Sequence, residues 1–373
     1  MSWLRIRELV RKEFIQLFRD KKNRPILIIA PLVQLMVFGY VVTTDIRTVT
    51  VGFLDQAHTR ESRLVYDVFN ANKTFVTTYV TDNDDDLEHQ LIMRNIDLAV
   101  KIRPDFSDRI RKKDTADIQI LVDGSMSNMA AVRVAYTGFV LDGLNQLLIR
   151  DLYPFKMEYG KIDARLRTWY NPNLYSQNFF VPGIVAFLIM ILTLLFTSMA
   201  IIKEKEAGTM EQLIVTPVKP LELILGKTIP YSIIALSQMI VVTVFAVLWF
   251  KIPLVGSIVL LGVATCLFLM STLGLGLFIS TISSTQQQAM MTTFFFILPF
   301  FMLSGFVFPV ANMPQVVQWL TYLNPLMYFL IIIRGIFLKG VGFSLLWPQF
   351  VALAIIGVIV FAGAVRRFRK RID

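Results

Sequence analysis

Several short stretches of this chain hold residue types that do chemistry in other proteins. Gly226-Lys227-Thr228 ends like a phosphate-binding loop, in which glycine amides cradle a phosphate and a lysine neutralises it. The position that such a loop gives to its first glycine is Leu221, and LELILGKT (221–228) reads as helix, so ATP hydrolysis is not expected of this chain. The run DNDDD (82–86) offers carboxylates to a calcium ion, but it lacks the alternating ligands and the glycine of a calcium loop. Acids in the first turn of a helix, favoured by its dipole, account for it better. Ser125 in VDGS sits on a strand-to-helix turn, yet no G-x-S-x-G surrounds it. The two histidines, His58 and His89, and the one cysteine, Cys266, build neither a zinc cluster nor a disulfide within the chain. No catalytic, cofactor-binding or metal site is expected.

What remains is KEKEAGTMEQLIVTPVKP, residues 203–220, a charged stretch between two of the most apolar runs. Thr209 and Gln212 form a capping box that starts a short helix at MEQLIV, and Pro217 stops it. Pro220 suits the first turn of the next helix, with Glu222 beside it at the positive end of the dipole. The loop, residues 203–227 in full, thus reads as a short helix slung between two membrane spans. It is a lever at which force from another chain enters.

A bilayer must position that lever. The chain has 373 residues, of which 55% are hydrophobic and 17% charged, and the charges are parked in blocks. Uncharged runs cover residues 25–44, 168–202, 228–250, 252–333 and 340–365. Each reaches the roughly 20 residues that a helix needs to cross the hydrocarbon core. The fourth run is broken by the polar ISSTQQQ and holds two spans, near 258–280 and 289–310, which brings the expected number to six. NMPQVVQWLTYLNP, within a segment at 311–335, reads as re-entrant backbone. The first 24 residues carry Arg5, Arg7, Arg11, Lys12, Arg19, Lys21, Lys22 and Arg24, and the chain closes on RRFRKRID. Both termini therefore belong in the cytoplasm by the positive-inside rule, and the loop at 203–227 with them. The net charge of +10 is then topology and contact with anionic membrane lipid; no nucleic acid is expected as a partner.

Residues 1–24 read as a cytoplasmic amphipathic helix on the inner leaflet and not as a cleaved signal. Its apolar face is Trp3, Ile6, Val10, Phe14 and Leu17, opposite Arg5, Glu8, Lys12, Gln16 and Arg19. Residues 25–44 are the first transmembrane helix. Residues 45–178 form an extracytoplasmic α/β domain, with strands expected at 48–55, 73–80, 96–102 and 116–123 and helices between them. Residues 179–373 are a five-helix transmembrane domain. The fold class is an α-helical polytopic membrane protein with six transmembrane helices and an inserted α/β extracytoplasmic domain. The six spans contain no Asp, Glu, Lys, Arg or His, so coupling to a proton or sodium gradient is not expected.

EAGTMEQLIVTP resembles the E-x-G-T-x-x-x-L-x-x-x-P stretch of type-2 ABC transporter permeases, supplied here by Glu206, Gly208, Thr209, Leu213 and Pro217. The likeness extends over the chain in WYNPNL (169–174), STQQQ (284–288), NMP (312–314) and LNP (323–325). It is most similar to the bacterial branch that exports drugs and other hydrophobic compounds across the inner (cytoplasmic) membrane. The resemblance implies a permease subunit that pairs with a second permease chain, identical or paralogous. It also implies a cytoplasmic ATP-binding subunit, which holds the ATP and magnesium, docked on loop 203–227. A periplasmic adaptor works with some relatives.

A candidate substrate cleft comes from aromatic, thioether and sparse polar side chains, among them Gln238, Thr292, Phe295 and Met302, which suit hydrophobic or amphiphilic cargo. Two other readings stand beside this one. One is an exporter of a polysaccharide or lipid-linked glycan, disfavoured by the large external domain. The other is a non-transporting, membrane-anchored sensor or assembly protein, disfavoured by six spans and no cytoplasmic output domain.

Overall fold

A computed structural model of the chain describes residues 3–19, 23–42, 48–112, 114–125, 127–152, 169–171, 175–208 and 219–372. The chain divides into two compact units, Thr44–Leu166 and the remainder.

The larger unit is helical. It comprises α1 (Trp3–Arg19) and α2 (Asn23–Val41), then α7 (Ser176–Glu206), α8 (Pro220–Trp249), α9 (Ile258–Ile282), α10 (Gln286–Met302), α11 (Gln315–Thr321), α12 (Pro325–Arg334) and α13 (Phe343–Ile372). A π-helical turn, Gly335–Lys339, prolongs α12. Four of these helices are long and apolar enough to cross a membrane: Ser176–Glu206, Leu221–Trp249, Ile258–Ile282 and Phe343–Arg367. α11 and the helix that runs Pro325–Lys339 pass that test only together, and they are bent by 79° at the break between them, as a broken span or a re-entrant loop would be. The described residues therefore contain four spans, or five if the bent pair is one. The apolar part of α2, Ile29–Val41, and the 17 residues of α10 fall short of the bilayer thickness.

α9 is the central column, packed on α13 and α7. Two glycines let it come close. A Cβ on Gly274 would sit 2.9 Å from the backbone of Phe361 in α13, and one on Gly276 would sit 2.8 Å from Cβ of Thr197 in α7. Small residues of this kind allow helix backbones to approach in a medium without a hydrophobic drive for association. On its other side Phe268 of α9 stacks on Phe329 of α12 with ring centroids 4.3 Å apart. That contact ties the bent segment into the core formed with Leu261, Ile189, Leu330 and Leu353.

The smaller unit is a four-stranded sheet in the order β2-β1-β3-β4. Its strands are β1 (Val49–Asp55), β2 (Phe75–Thr81), β3 (Leu98–Ile102) and β4 (Ile118–Val122), and its helices are α3 (Arg60–Ala71), α4 (Asp84–Ile92), α5 (Phe106–Arg111) and α6 (Ser127–Leu152). β1 pairs in parallel with β2 and β3, and β4 runs antiparallel at the edge. Val49, Val51, Phe53, Phe69 and Phe75 fill one face, and Leu54, Leu87, Ile96 and Ala99 fill the other.

The acidic run at 82–86 has structural work to do here. Asn83 caps α4 by accepting from the Asp85 amide, Asp86 accepts from the Tyr79 hydroxyl, and Asp84 and Glu88 hold the buried Lys101 ammonium. Burial would lower the pKa of Lys101; hydrogen bonds to Asp84 and Glu88 outweigh it and raise the pKa above the ordinary lysine value. Among the described residues no group of His, Cys, Asp and Glu is arranged to hold a metal ion.

Candidate coupling site

The charged stretch between α7 and α8 is shorter than the sequence suggests, because both helices outrun the uncharged runs. α7 continues through Lys203, Glu204, Lys205 and Glu206, and α8 begins at Pro220, so the loop contracts from 203–227 to 207–219. α7 stops where Gly208 takes a left-handed conformation, φ +67°, after Ala207 closes the last turn by donating to the Lys203 carbonyl. Residues 209–218 lie outside the described residues, and with them Thr209, Leu213, Pro217 and the expected short helix. α8 starts with proline in its first turn, and the Glu222 carboxylate turns back to accept from the Lys219 amide at 3.1 Å.

The two ends of the loop are gripped by other elements. Glu206 accepts from the backbone N–H of Gln286 at 2.9 Å and from that residue's side-chain amide. The end of α7 is thereby bound to the start of α10, where Thr285 caps the helix by accepting from the Gln288 amide. The polar STQQQ break thus lies against the first residue of the E-x-G-T pattern. At the other end, the buried carboxylate of Glu222 is 3.8 Å from the guanidinium of Arg5 on α1.

A buried ion cluster lies between these two ends. The Lys227 ammonium of α8 donates to Glu13 Oε1 of α1 at 2.7 Å and to the Ala200 carbonyl of α7 at 3.2 Å, and it stands 3.1 Å from Glu204 Oε1. Lys12 reaches the same Glu204 oxygen at 3.1 Å. Glu13, Glu204 and Lys227 are all buried. Two carboxylates and two ammonium groups balance in charge, which is what makes their desolvation tolerable. One residue away, Gly226 makes room for α1: a Cβ there would lie 2.6 Å from Cβ of Leu9. Thr228 donates to its own helix, at the Ile224 carbonyl. The Gly-Lys-Thr triplet is therefore a docking point for α1, with glycine giving access and lysine the bond.

α1 keeps most of its expected apolar face, with Ile6 and Leu17 buried and Val10 and Phe14 half-buried, and departs from it at two positions. Trp3, expected on the apolar face, is 74% exposed, whereas Ile6, Glu13 and Leu17 are buried. Glu13, beside that face, is buried because α1 packs on a protein surface that offers it the Lys227 ammonium. Lys12, placed by its spacing on the polar face, is half-buried and reaches Glu204. The expectation that the spans are free of ionisable groups is corrected at their ends, where Glu204, Glu222 and Lys227 are helical and buried.

The opposite end of the unit holds a second charged feature. Arg334, the last residue of α12, stacks on Phe179 of α7 at 3.7 Å from the ring centroid and donates to the carbonyls of Phe179 at 3.3 Å and Gly305 at 3.4 Å. The α7 start, the turn after α10 and the bent segment meet on this one side chain.

The candidate cleft residues do not share a surface within one chain. Gln238 is buried in the bundle, with its Nε2 lacking a hydrogen-bond partner among the described residues. Thr292 is half-buried, and Phe295 and Met302 face outward from α10. The neighbouring Thr293 is the buried one, donating to the Ser198 hydroxyl of α7 at 2.9 Å.

The ABC-2 family transporter protein model matches residues 25–366. The chain is 30% identical over 368 residues, 99% of both chains, to the probable multidrug ABC transporter permease YbhR of Escherichia coli K12. It is 32% identical over 351 residues to the probable multidrug ABC transporter permease YbhS of the same strain, covering 91% of this chain and 90% of that one. To the inner membrane transport permease YhhJ of that strain it is 30% identical over 293 residues, 77% of each chain.

Proposed function

The chain belongs to the ABC-2 family of transporter proteins, and from that premise we propose that it is the permease subunit of an ATP-driven exporter energised through loop 207–219. It is a multi-pass membrane protein with a transport role. The finer reading is that a separate cytoplasmic ATP-binding subunit hydrolyses ATP and presses on this loop. The permease, paired with a second permease chain in a bacterial inner membrane, then moves hydrophobic or amphiphilic compounds outward. Six spans with both termini in the cytoplasm, and residues 45–178 outside, belong to this reading, as does the use of segment 311–335 as an external lid.

The observation that carries it is the grip on both ends of the loop. Glu206 is bonded to α10, Glu222 and Lys227 to α1, and Glu204 to both α1 and α8. A displacement of the loop is thereby passed to α1, α7, α8 and α10 together, which a passive connection would not do. The multidrug names of the relatives support a lipophilic cargo. So does the broad apolar and aromatic face of α10, with Phe294, Phe295 and Leu298 exposed.

The test is Gly208→Val and Leu213→Asp in the assembled transporter. Valine at a left-handed position costs about 1–2 kcal/mol locally, and aspartate removes an apolar docking residue. Both variants should enter the membrane at normal levels and lose transport-stimulated ATP hydrolysis. Normal stimulation in both removes the loop from the mechanism.

A further inference from the structure

The end of the membrane unit that holds Arg334 is positively charged and has no carboxylate among the described residues of that unit. The acids described in this unit are Glu8, Glu13, Glu204, Glu206 and Glu222, and residues 223–372 contain no Asp or Glu. All five sit at the loop end. Phe179, which Arg334 covers, and Glu204, which Lys12 holds, are 25 residues apart on α7. At ~1.5 Å per residue that is ~38 Å, more than the ~30 Å hydrocarbon core, so the two ends lie on opposite faces of a bilayer.

The Arg334 end carries Lys251, Arg334 and Lys339. Backbone hydrogen bonds bring their segments together: Val255 N–H donates to the Phe337 carbonyl at 3.1 Å and Gly256 N–H to the Ile336 carbonyl at 2.9 Å. Lys251 and Lys339 are exposed. The partners of this group are neutral: carbonyls and the Phe179 ring for Arg334, and the Tyr170 ring at 5.8 Å for Lys339. Nη2 of Arg334 is buried with no hydrogen-bond partner among the described residues. Aromatic side chains that favour headgroup depth surround the cations. Trp249 donates to the Tyr40 hydroxyl at 3.0 Å, and Trp249, Tyr170 and Trp347 are more than half exposed.

We propose that Lys251 and Lys339, at the same end as the half-buried Arg334, form a binding site for the phosphate headgroup of an anionic membrane lipid at the bilayer face opposite the coupling loop. Three cations with no described acid within their end of the unit, set among interfacial aromatics, suit an anion from outside the unit. At headgroup depth the abundant anion is a lipid phosphate, to which exposed lysines are attracted. The site does not depend on the chain's being an exporter.

Trp249, two residues from Lys251, is a local reporter. In the full-length chain with Trp3, Trp169, Trp319 and Trp347 changed to Phe, reconstituted in phosphatidylcholine vesicles, acyl-brominated phosphatidylglycerol should quench Trp249 severalfold more than brominated phosphatidylcholine at equal mole fraction. Lys251→Asn with Lys339→Gln should bring the two lipids to parity and leave quenching by phosphatidylcholine unchanged. Both positions are exposed, and asparagine tolerates the positive φ of Lys251, +54°. Equal quenching by the two lipids in the parent chain overturns the site. So does a preference that survives the double substitution. A preference abolished by millimolar inorganic phosphate would assign these lysines to a soluble anion and overturn the lipid assignment.

Discussion

Replacing Lys227 with methionine removes the one cation that both Glu13 and Glu204 share, while keeping the length and apolar volume of the side chain. Glu13 has no other cation near it in the described cluster; Glu204 retains Lys12, which is partly exposed and 3.1 Å away. Breaking a buried pair by removing one partner costs about 3–5 kcal/mol, and the retained Lys12 places this case near the lower figure. About 3 kcal/mol is roughly a hundredfold in the equilibrium between docked and undocked α1. The assay is thiol labelling of Ile6→Cys, a position on the buried face of α1, in a chain whose exposed Cys266 is replaced by Ala. Labelling of the introduced thiol should accelerate by roughly two orders of magnitude in Lys227→Met. In the double variant Glu13→Leu with Lys227→Met it should return to within about tenfold of the parent, because an apolar pair of similar volume replaces the ionic one at little cost. A single variant that labels like the parent would refute the reasoning, since α1 would then be held by packing alone.

Other outcomes follow from the same geometry. Gly226→Ala places a methyl 2.6 Å from Leu9 Cβ, so it should expose the Ile6→Cys thiol as well, by an overpacking cost of about 1–3 kcal/mol, while Gly262→Ala, which meets nothing within 4 Å, should not. Arg334→Lys keeps the charge but loses the planar stack on Phe179 and the forked donation to two carbonyls; a loss of about 2 kcal/mol should appear as a fall of several degrees in the unfolding temperature in detergent. For topology, a cysteine at Asn83 should react with a membrane-impermeant thiol reagent from outside the cell, and one at Ala207 only after the membrane is opened. The reverse pattern would invert the orientation on which the proposed direction of transport rests.

The helical, polytopic character was legible in the uncharged runs, and so was the family in the spacing of Glu206, Gly208 and the residues after them. The four strands fall within or one residue beyond the four stretches picked out by their β-branched and aromatic composition. What composition could not give is where a helix ends, because that depends on neighbours. Lys203 to Glu206 read as loop by charge, yet they are helical because Gln286 satisfies Glu206 and Lys12 and Lys227 neutralise Glu204. Lys227 looked like part of a failed phosphate loop because its partner, Glu13, is 214 residues away in sequence. One signal was available: Glu13 interrupts an amphipathic helix next to its apolar stripe, and an acid there needs a buried base. Arg334 reads in sequence only as the charge that ends the uncharged run 252–333; its role depends on Phe179 and Gly305 from two other elements, which no local pattern links to it.

The central claim is that this permease has no energy source of its own and is driven through its loop by a separate ATPase. Reconstitution in liposomes loaded with a lipophilic dye tests it most directly. The account predicts that the permease alone is inert under an imposed proton or sodium gradient. Adding the ATP-binding subunit with ATP and magnesium should give extrusion that survives a protonophore and is lost in Gly208→Val. Gradient-driven efflux by the permease alone, or ATP-driven efflux unaffected by that substitution, would contradict it.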